Sequence, residues 1–248
     1  MRKKIQYTVY HSIVSISVVS IAYLYLFFFV YPEPFGELLG AFKVFWILCF
    51  VDVVVGPLLT LIVYRDSKKR REKLIDFVLI GLLQFSALSY GLLTLYSSRP
   101  VAIGFEGDRF RLVQRFDLIE HDVNSNSYAS DLSFNGVRPV GIKMFKDGSS
   151  QQLNSIRDSL NGMHPSYKLS RWEPYELVSQ AVIDSSYPIA DLIEKNKAYK
   201  KSMIDFLGDE IVDNFNYLPL ATPDFSNWIV IIDQRDAKIL GYLPINGW

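Results

Sequence analysis

Three long apolar runs fill most of the first hundred residues. Residues 13–31 hold no charged side chain, only Ser15, Ser17 and Ser20 among apolar and aromatic neighbours. At ~1.5 Å rise per residue, a helix of that length crosses a ~30 Å hydrocarbon layer. Residues 38–64 form a second run, with Lys43 near its start and Asp52 near its middle. Residues 77–96 form a third, again without charge. Lys43 can snorkel to the interface. Tyr31, Trp46, Tyr64 and Tyr96 fall near run ends, where an aromatic belt places them. The expected architecture is a membrane protein. Residues 1–97 form a membrane domain with three transmembrane α-helices at about 13–31, 38–64 and 77–96, and residues 98–248 form a soluble α+β domain.

Arg2, Lys3 and Lys4 precede the first run, so a signal peptide is the competing reading. A cleaved signal has a shorter apolar region and a small-x-small exit. Here the exit is the bulky Leu26-Phe27-Phe28-Phe29-Val30-Tyr31-Pro32, which points to an uncleaved anchor. Loop charges set the orientation. The segment from Arg65 to Lys73 carries six basic residues, whereas Pro32, Glu33, Pro34, Gly36 and Glu37 lie in a loop with none. The positive-inside rule then puts the N-terminus in the cytoplasm and everything after Tyr96 outside it. The basic run is read as a topology signal rather than a nucleic-acid or anionic-lipid site. Whole-chain charge is balanced, 26 basic against 26 acidic, and suggests no nucleic-acid partner. The single cysteine, Cys49, sits in the second run, so the soluble domain has no cysteine for a disulfide or metal site.

Asp52 is the costliest of the intramembrane residues, at roughly 3 kcal/mol for an aspartate at a helix centre. Such residues face a partner or a wet cavity. Gly56 and Pro57 follow one turn later, and Pro57 removes a helix hydrogen bond. In the third run Gly81, Gln84, Leu88 and Gly91 recur at helical spacing. Asp52, Gly56, Pro57, Gly81, Gln84 and Gly91 are therefore the candidate helix-packing or partner site. Either Gln84 partners Asp52 inside the anchor, or this polar face receives another protein's helix.

In the soluble domain, residues 101–106 and 109–118 read as strands around Gly107-Asp108. Residues 137–145 read as a strand and 149–161 as a helix closed by Gly162. Residues 174–185 and 188–199 read as further helices. Residues 228–233 and 238–243 read as a hairpin around Gln234-Arg235-Asp236-Ala237. Strands, then helices, then strands suggest α+β. No HExxH, CxxC, GxSxG, P-loop or GxGxxG motif is present. His121 and His164 stand in polar surroundings, and Asp205, Asp209 and Glu210 suit a charged helix face better than a metal site. No catalytic, cofactor or metal residues are therefore assigned. The domain reads as a binding module. Tyr217-Leu218-Pro219-Leu220 and Trp248 suit either a docking surface or core and edge positions.

The chain resembles the type IV pilin accessory proteins of the TfpX/TfpZ type. The resemblance rests on Asp52 with Gly56-Pro57-Leu58-Leu59-Thr60, and on Leu83-Gln84-Phe85-Ser86-Ala87-Leu88-Ser89-Tyr90-Gly91. It continues through Ser98-Arg99-Pro100-Val101 and Asp108-Arg109-Phe110, with Arg99 and Pro100 marking the membrane exit. It implies a bacterial inner-membrane protein with a periplasmic domain and a non-enzymatic role in type IV pilus (fimbrium) biogenesis. The implied partner is a cognate major pilin, with other pilus assembly proteins left open. Two alternatives remain at this point. One is a membrane sensor with an outer ligand-binding domain; the other is a pilin-modifying membrane enzyme using Arg99, Glu106 and Asp108.

Overall fold

The structure, a computed structural model, describes residues 2–119, 136–195, 199–207, 214–223 and 227–248. His121, Asp209 and Glu210 lie outside the described residues. The chain forms two compact units, Met1–Arg99 and Pro100–Trp248.

In the first unit, α1 (Arg2–Tyr25) runs into a π-helical turn, Leu26–Val30. A short α2 (Phe35–Leu38) precedes α3 (Ala41–Phe50), a second π-helical turn Val51–Val55, and α4 (Gly56–Val63). The last helix is α5 (Arg70–Ser97). Among the described residues, three helical stretches are long and apolar enough to cross a membrane: Lys3–Val30, Ala41–Val63 and Arg70–Ser97. The first begins well before residue 13, because an N-terminal polar turn continues the helix at no cost in water. The second begins at Ala41, since Gly40 takes the left-handed φ of 64° and separates it from α2. The third begins within the basic segment, where the Glu72 carboxylate accepts from the Lys69 N–H at 3.2 Å.

The bundle buries one stripe per helix and leaves the rest to lipid. Val19, Ala22, Leu26, Val30, Phe45, Cys49 and Leu95 pack together in its interior. The Tyr31 hydroxyl donates to the Leu95 carbonyl at 2.7 Å. Tyr7, Tyr64 and Phe77 meet with ring centroids 5.2–6.4 Å apart, drawing on all three spans.

The second unit is built on a mixed sheet. Its strands are β1 (Pro100–Phe105), β2 (Phe110–Gln114), β3 (Arg138–Ile142), β4 (Trp172–Glu173), β5 (Tyr187–Pro188), β6 (Phe215–Ala221), β7 (Trp228–Asp233) and β8 (Ile239–Leu243). The order is β4-β3-β1-β2-β6-β7-β8, with β5 also on β6. β1 and β2 form the expected antiparallel hairpin, with Phe105 opposite Phe110 and Gly107 at φ 94° in its turn. β1 pairs parallel with β3, and β2 parallel with β6. The helices are α6 (Ser150–Leu160), α7 (Ser179–Ser185), α8 (Ile189–Lys195) and α9 (Tyr199–Leu207). Ser149 caps α6, its hydroxyl accepting from the Gln152 N–H at 3.1 Å. The expected strand over 137–145 is shorter, ending at Ile142. Phe145 instead lies under the Arg171 guanidinium at 4.3 Å. Residues 175–178 form a 3₁₀ turn rather than the start of an α-helix.

Tyr217, Leu218 and Leu220 are buried in β6, so they are core. A proline inside a central strand is tolerated here by position. β6 pairs with β5 at Asn216 and Tyr217 and with β2 at Leu220 and Ala221, leaving Pro219 between the two pairings.

The β7–β8 hairpin turns on Asp233. Its Oδ1 accepts from the Arg235 N–H at 2.9 Å and Nε at 3.0 Å, and Oδ2 accepts from Nη2 at 2.6 Å. These bonds hold its carboxyl down to about 2. An acid depressed in the folded state contributes stability above its unfolded pKa and loses it as pH falls through the folded value. Wild-type stability should therefore fall between about pH 4 and pH 2 more steeply than that of Arg235→Leu, measured by denaturant unfolding of the full chain in detergent.

Candidate functional site

The centre of the bundle follows from Pro57. A proline in a helix interior has no N–H and collides with the carbonyl one turn back. The chain accommodates it by widening to π geometry over Val51–Val55, with the Gly56 N–H donating to the Val51 carbonyl. In that register the N–H facing the Asp52 carbonyl would come from residue 57, which has none. Gln84 supplies it: Nε2 donates to the Asp52 carbonyl at 3.0 Å.

That bond orients everything beyond it. A carbonyl only accepts, so the Gln84 amide nitrogen must face Asp52 and Oε1 must face away. Oε1 meets His11 Nε2 at 2.6 Å, which makes Nε2 the protonated ring nitrogen. His11 Nδ1 then lies 2.6 Å from the Thr60 hydroxyl, itself fully buried. Thr60, His11, Gln84 and the Asp52 carbonyl form one chain that ties all three transmembrane helices.

Gly56 makes the tie possible, because a Cβ there would overlap the Gln84 amide. Gly91 does the same for Leu48, whose side chain occupies the space of a Cβ. Gly81 serves no such approach: it is exposed, with nothing within 4 Å of where its Cβ would lie. Of the candidate residues, Asp52, Gly56, Pro57 and Gln84 therefore meet, Gly91 seats Leu48, and Gly81 stands apart. Gln84 does reach Asp52, through the main-chain carbonyl. The carboxyl oxygen Oδ1 is buried and has no hydrogen-bond partner among the described residues, although Asp52 is only 5 % exposed. At the membrane exit, Arg99 folds back onto α5. Its Nη1 donates to the Tyr96 carbonyl at 2.9 Å, and its guanidinium lies 4.1 Å from the Tyr96 ring.

His11 was outside the apolar run and outside the candidate set. The signal was present in spacing. His11, Ser15, Val19, Ala22, Leu26 and Val30 fall on one helical stripe, and from Ser15 onward each is buried.

The soluble unit carries a groove of about 690 Å³ between the β1–β2 turn and α6. A buried knot underlies it. Glu106 Oε2 accepts from Arg111 Nε at 2.9 Å, and Oε1 accepts from the Ser166 hydroxyl at 2.7 Å and its N–H at 3.2 Å. Asp108 pairs with Arg109, which holds its carboxyl below the usual range. Burial, with Arg111 nearby, pushes the His164 pKa down. On α6, Leu153, Ile156 and Leu160 are exposed at 63, 50 and 83 %, and Ile156 and Leu160 line the groove. Trp248 is exposed as well, with the Arg109 guanidinium 4.9 Å from its ring.

A three-span membrane unit with a polar interior tie, followed by a mixed-sheet domain with an open groove, defines a polytopic membrane protein with an appended α/β domain. No family model and no solved structure matches the chain. It is similar to fimbrial assembly proteins of Dichelobacter nodosus. Identity is 26 % over 229 residues with that of serogroup I, covering 91 % of this chain and 89 % of the relative. It is 28 % over 223 residues with that of serogroup E1, covering 88 % and 86 %. With that of serogroups C1 and C2 it is 38 % over 109 residues, covering 44 % of this chain and 83 % of the relative. The chain belongs to this family of fimbrial assembly proteins.

Proposed function

We propose that the protein is a non-enzymatic accessory factor of type IV pilus biogenesis that binds its cognate major pilin at the bacterial inner membrane and aids pilus assembly or display. The observation that carries this reading is the similarity to fimbrial assembly proteins along nearly the whole chain, both units included. The loop charges support a cytoplasmic N-terminus and a periplasmic soluble domain.

The mechanism is two modest contacts on one scaffold. A pilin awaiting assembly is held in the bilayer by one hydrophobic helix. The membrane unit meets that helix within the bilayer. The soluble unit receives the pilin head at the groove beside α6. Joining the contacts raises effective concentration, and each must fit for the pair to hold, which discriminates between pilins. Deleting the gene should abolish surface pili seen by electron microscopy while pilin is still synthesised. Restoring the intact gene should return piliation in full. Normal piliation in the deletion would sink the reading.

A further inference from the structure

The connection between the first two spans encloses a cavity of about 580 Å³ whose walls are aromatic. Phe27 and Phe42 stack with centroids 4.2 Å apart and planes 9° from parallel. Tyr23 adds a ring 4.9 Å from Phe27, and Tyr31 another at 6.2 Å. The wall is braced: Phe45 meets Phe27 edge-on at 5.6 Å, and Gly36 brings the backbone against both stacked rings, where a Cβ would sit 2.9 Å from Phe42. Phe28 completes the lining and is largely exposed.

Two carboxylates stand in the same cavity. Glu33 and Glu37 are exposed, and their carboxylates have no hydrogen bond or ion pair among the described residues. Among the described residues, no Lys or Arg lines the cavity. An aromatic belt would explain the rings, but not two unpaired acids set among them. Ring faces carry negative potential and attract ammonium groups, and carboxylates add full charge and hydrogen-bond acceptors. Anionic groups are repelled by both.

The cavity lies where the first span ends at Val30 and the second begins at Ala41, so its depth is that of lipid headgroups. We infer that it binds the ammonium of a phosphatidylethanolamine headgroup. The primary ammonium offers three N–H donors to the carboxylates, while the rings flank it and the acyl chains remain in the bilayer. A lipid held there would tie together the outer ends of the first two spans. This inference does not rest on the pilin reading.

The test uses the full chain, delipidated in nonionic detergent, with short-chain phosphatidylethanolamine or phosphatidylglycerol titrated in and bound lipid read by native mass spectrometry. Phosphatidylethanolamine should bind about tenfold more tightly than phosphatidylglycerol, and E33Q/E37Q should lose about that factor. E33K/E37K should reverse the preference. Melting temperatures of the lipid-free variants should match wild type, since both residues are exposed and unpaired. Equal binding of the two lipids, or unchanged selectivity in E33Q/E37Q, overturns the proposal.

Discussion

Gly56→Ala should destabilise the membrane unit by about 2 kcal/mol although it adds a single methyl group. The new Cβ would occupy the position of the Gln84 amide, so Gln84 must leave. Its departure strands two groups at once: the Asp52 carbonyl and the His11 Nε2–H. Water is not at hand in the bilayer to replace either partner. Membrane hydrogen bonds as a class contribute well under 1 kcal/mol on average, because alternative partners turn up in the less ordered state. The Asp52 carbonyl is different, since the Gly56 N–H is taken by Val51 and Pro57 has no N–H to offer in the π register.

The test is a cycle with Gln84→Ala, read by reversible unfolding in detergent. Gln84→Ala alone should cost about as much as Gly56→Ala, because both remove the same bonds. In the Gln84→Ala background the space beside Gly56 is vacant, so adding Gly56→Ala should cost about 0.5 kcal/mol or less. Costs that simply add would refute the account. Pro57→Ala gives a third arm. It restores an N–H to the second helix, so Gln84→Ala should be milder in that background.

How far the sequence revealed this centre depended on the kind of signal. Asp52, Gly56, Pro57 and Gln84 stood out because polar or helix-breaking residues in an apolar run are costly and need a reason. His11 did not, because it lies just before the uncharged stretch and looked like part of a polar lead-in. Only continuing the buried stripe backwards from Ser15 reaches it. The π-helical turn was invisible for another reason: hydropathy has no term for a helix that widens by one residue. In the soluble unit, Ser149 and Gly162 bracketed α6 by their own backbone chemistry, an N-cap hydroxyl and a glycine at φ 82°. Tyr217-Leu218-Pro219-Leu220 suits a docking surface as well as a core strand in sequence, and the switch of partners that admits Pro219 to β6 is a tertiary fact. The spacing of Leu153, Ile156 and Leu160 implies a buried helix face. The fold leaves that face open, with Ile156 and Leu160 on the groove wall.

Glu106→Ala should be the most damaging single change in the soluble unit, at about 3–5 kcal/mol. The carboxylate sits in a low-exposure site beneath the groove and satisfies three donors, the Arg111 guanidinium and both polar hydrogens of Ser166. Removing it takes from the nearly buried Arg111 its ion-pair acceptor and leaves both Ser166 donors unsatisfied, which costs more than the lost attraction. Ser166 cannot turn elsewhere. It is fully buried, its carbonyl already accepts from Trp172 Nε1 at 2.8 Å, and its hydroxyl packs where a Cβ on Gly104 would lie. The knot thus couples β1 to the segment after α6, and its loss should loosen the groove floor. Limited proteolysis of the full chain should show the soluble unit cut far faster in Glu106→Ala while the spans remain protected. Leu160→Ser supplies the contrast. That side chain is 83 % exposed, so its change should leave stability within about 0.5 kcal/mol. If the groove is where the pilin head docks, Leu160→Ser should nevertheless reduce piliation. Loss of function without loss of stability is the result that separates a contact surface from a structural one.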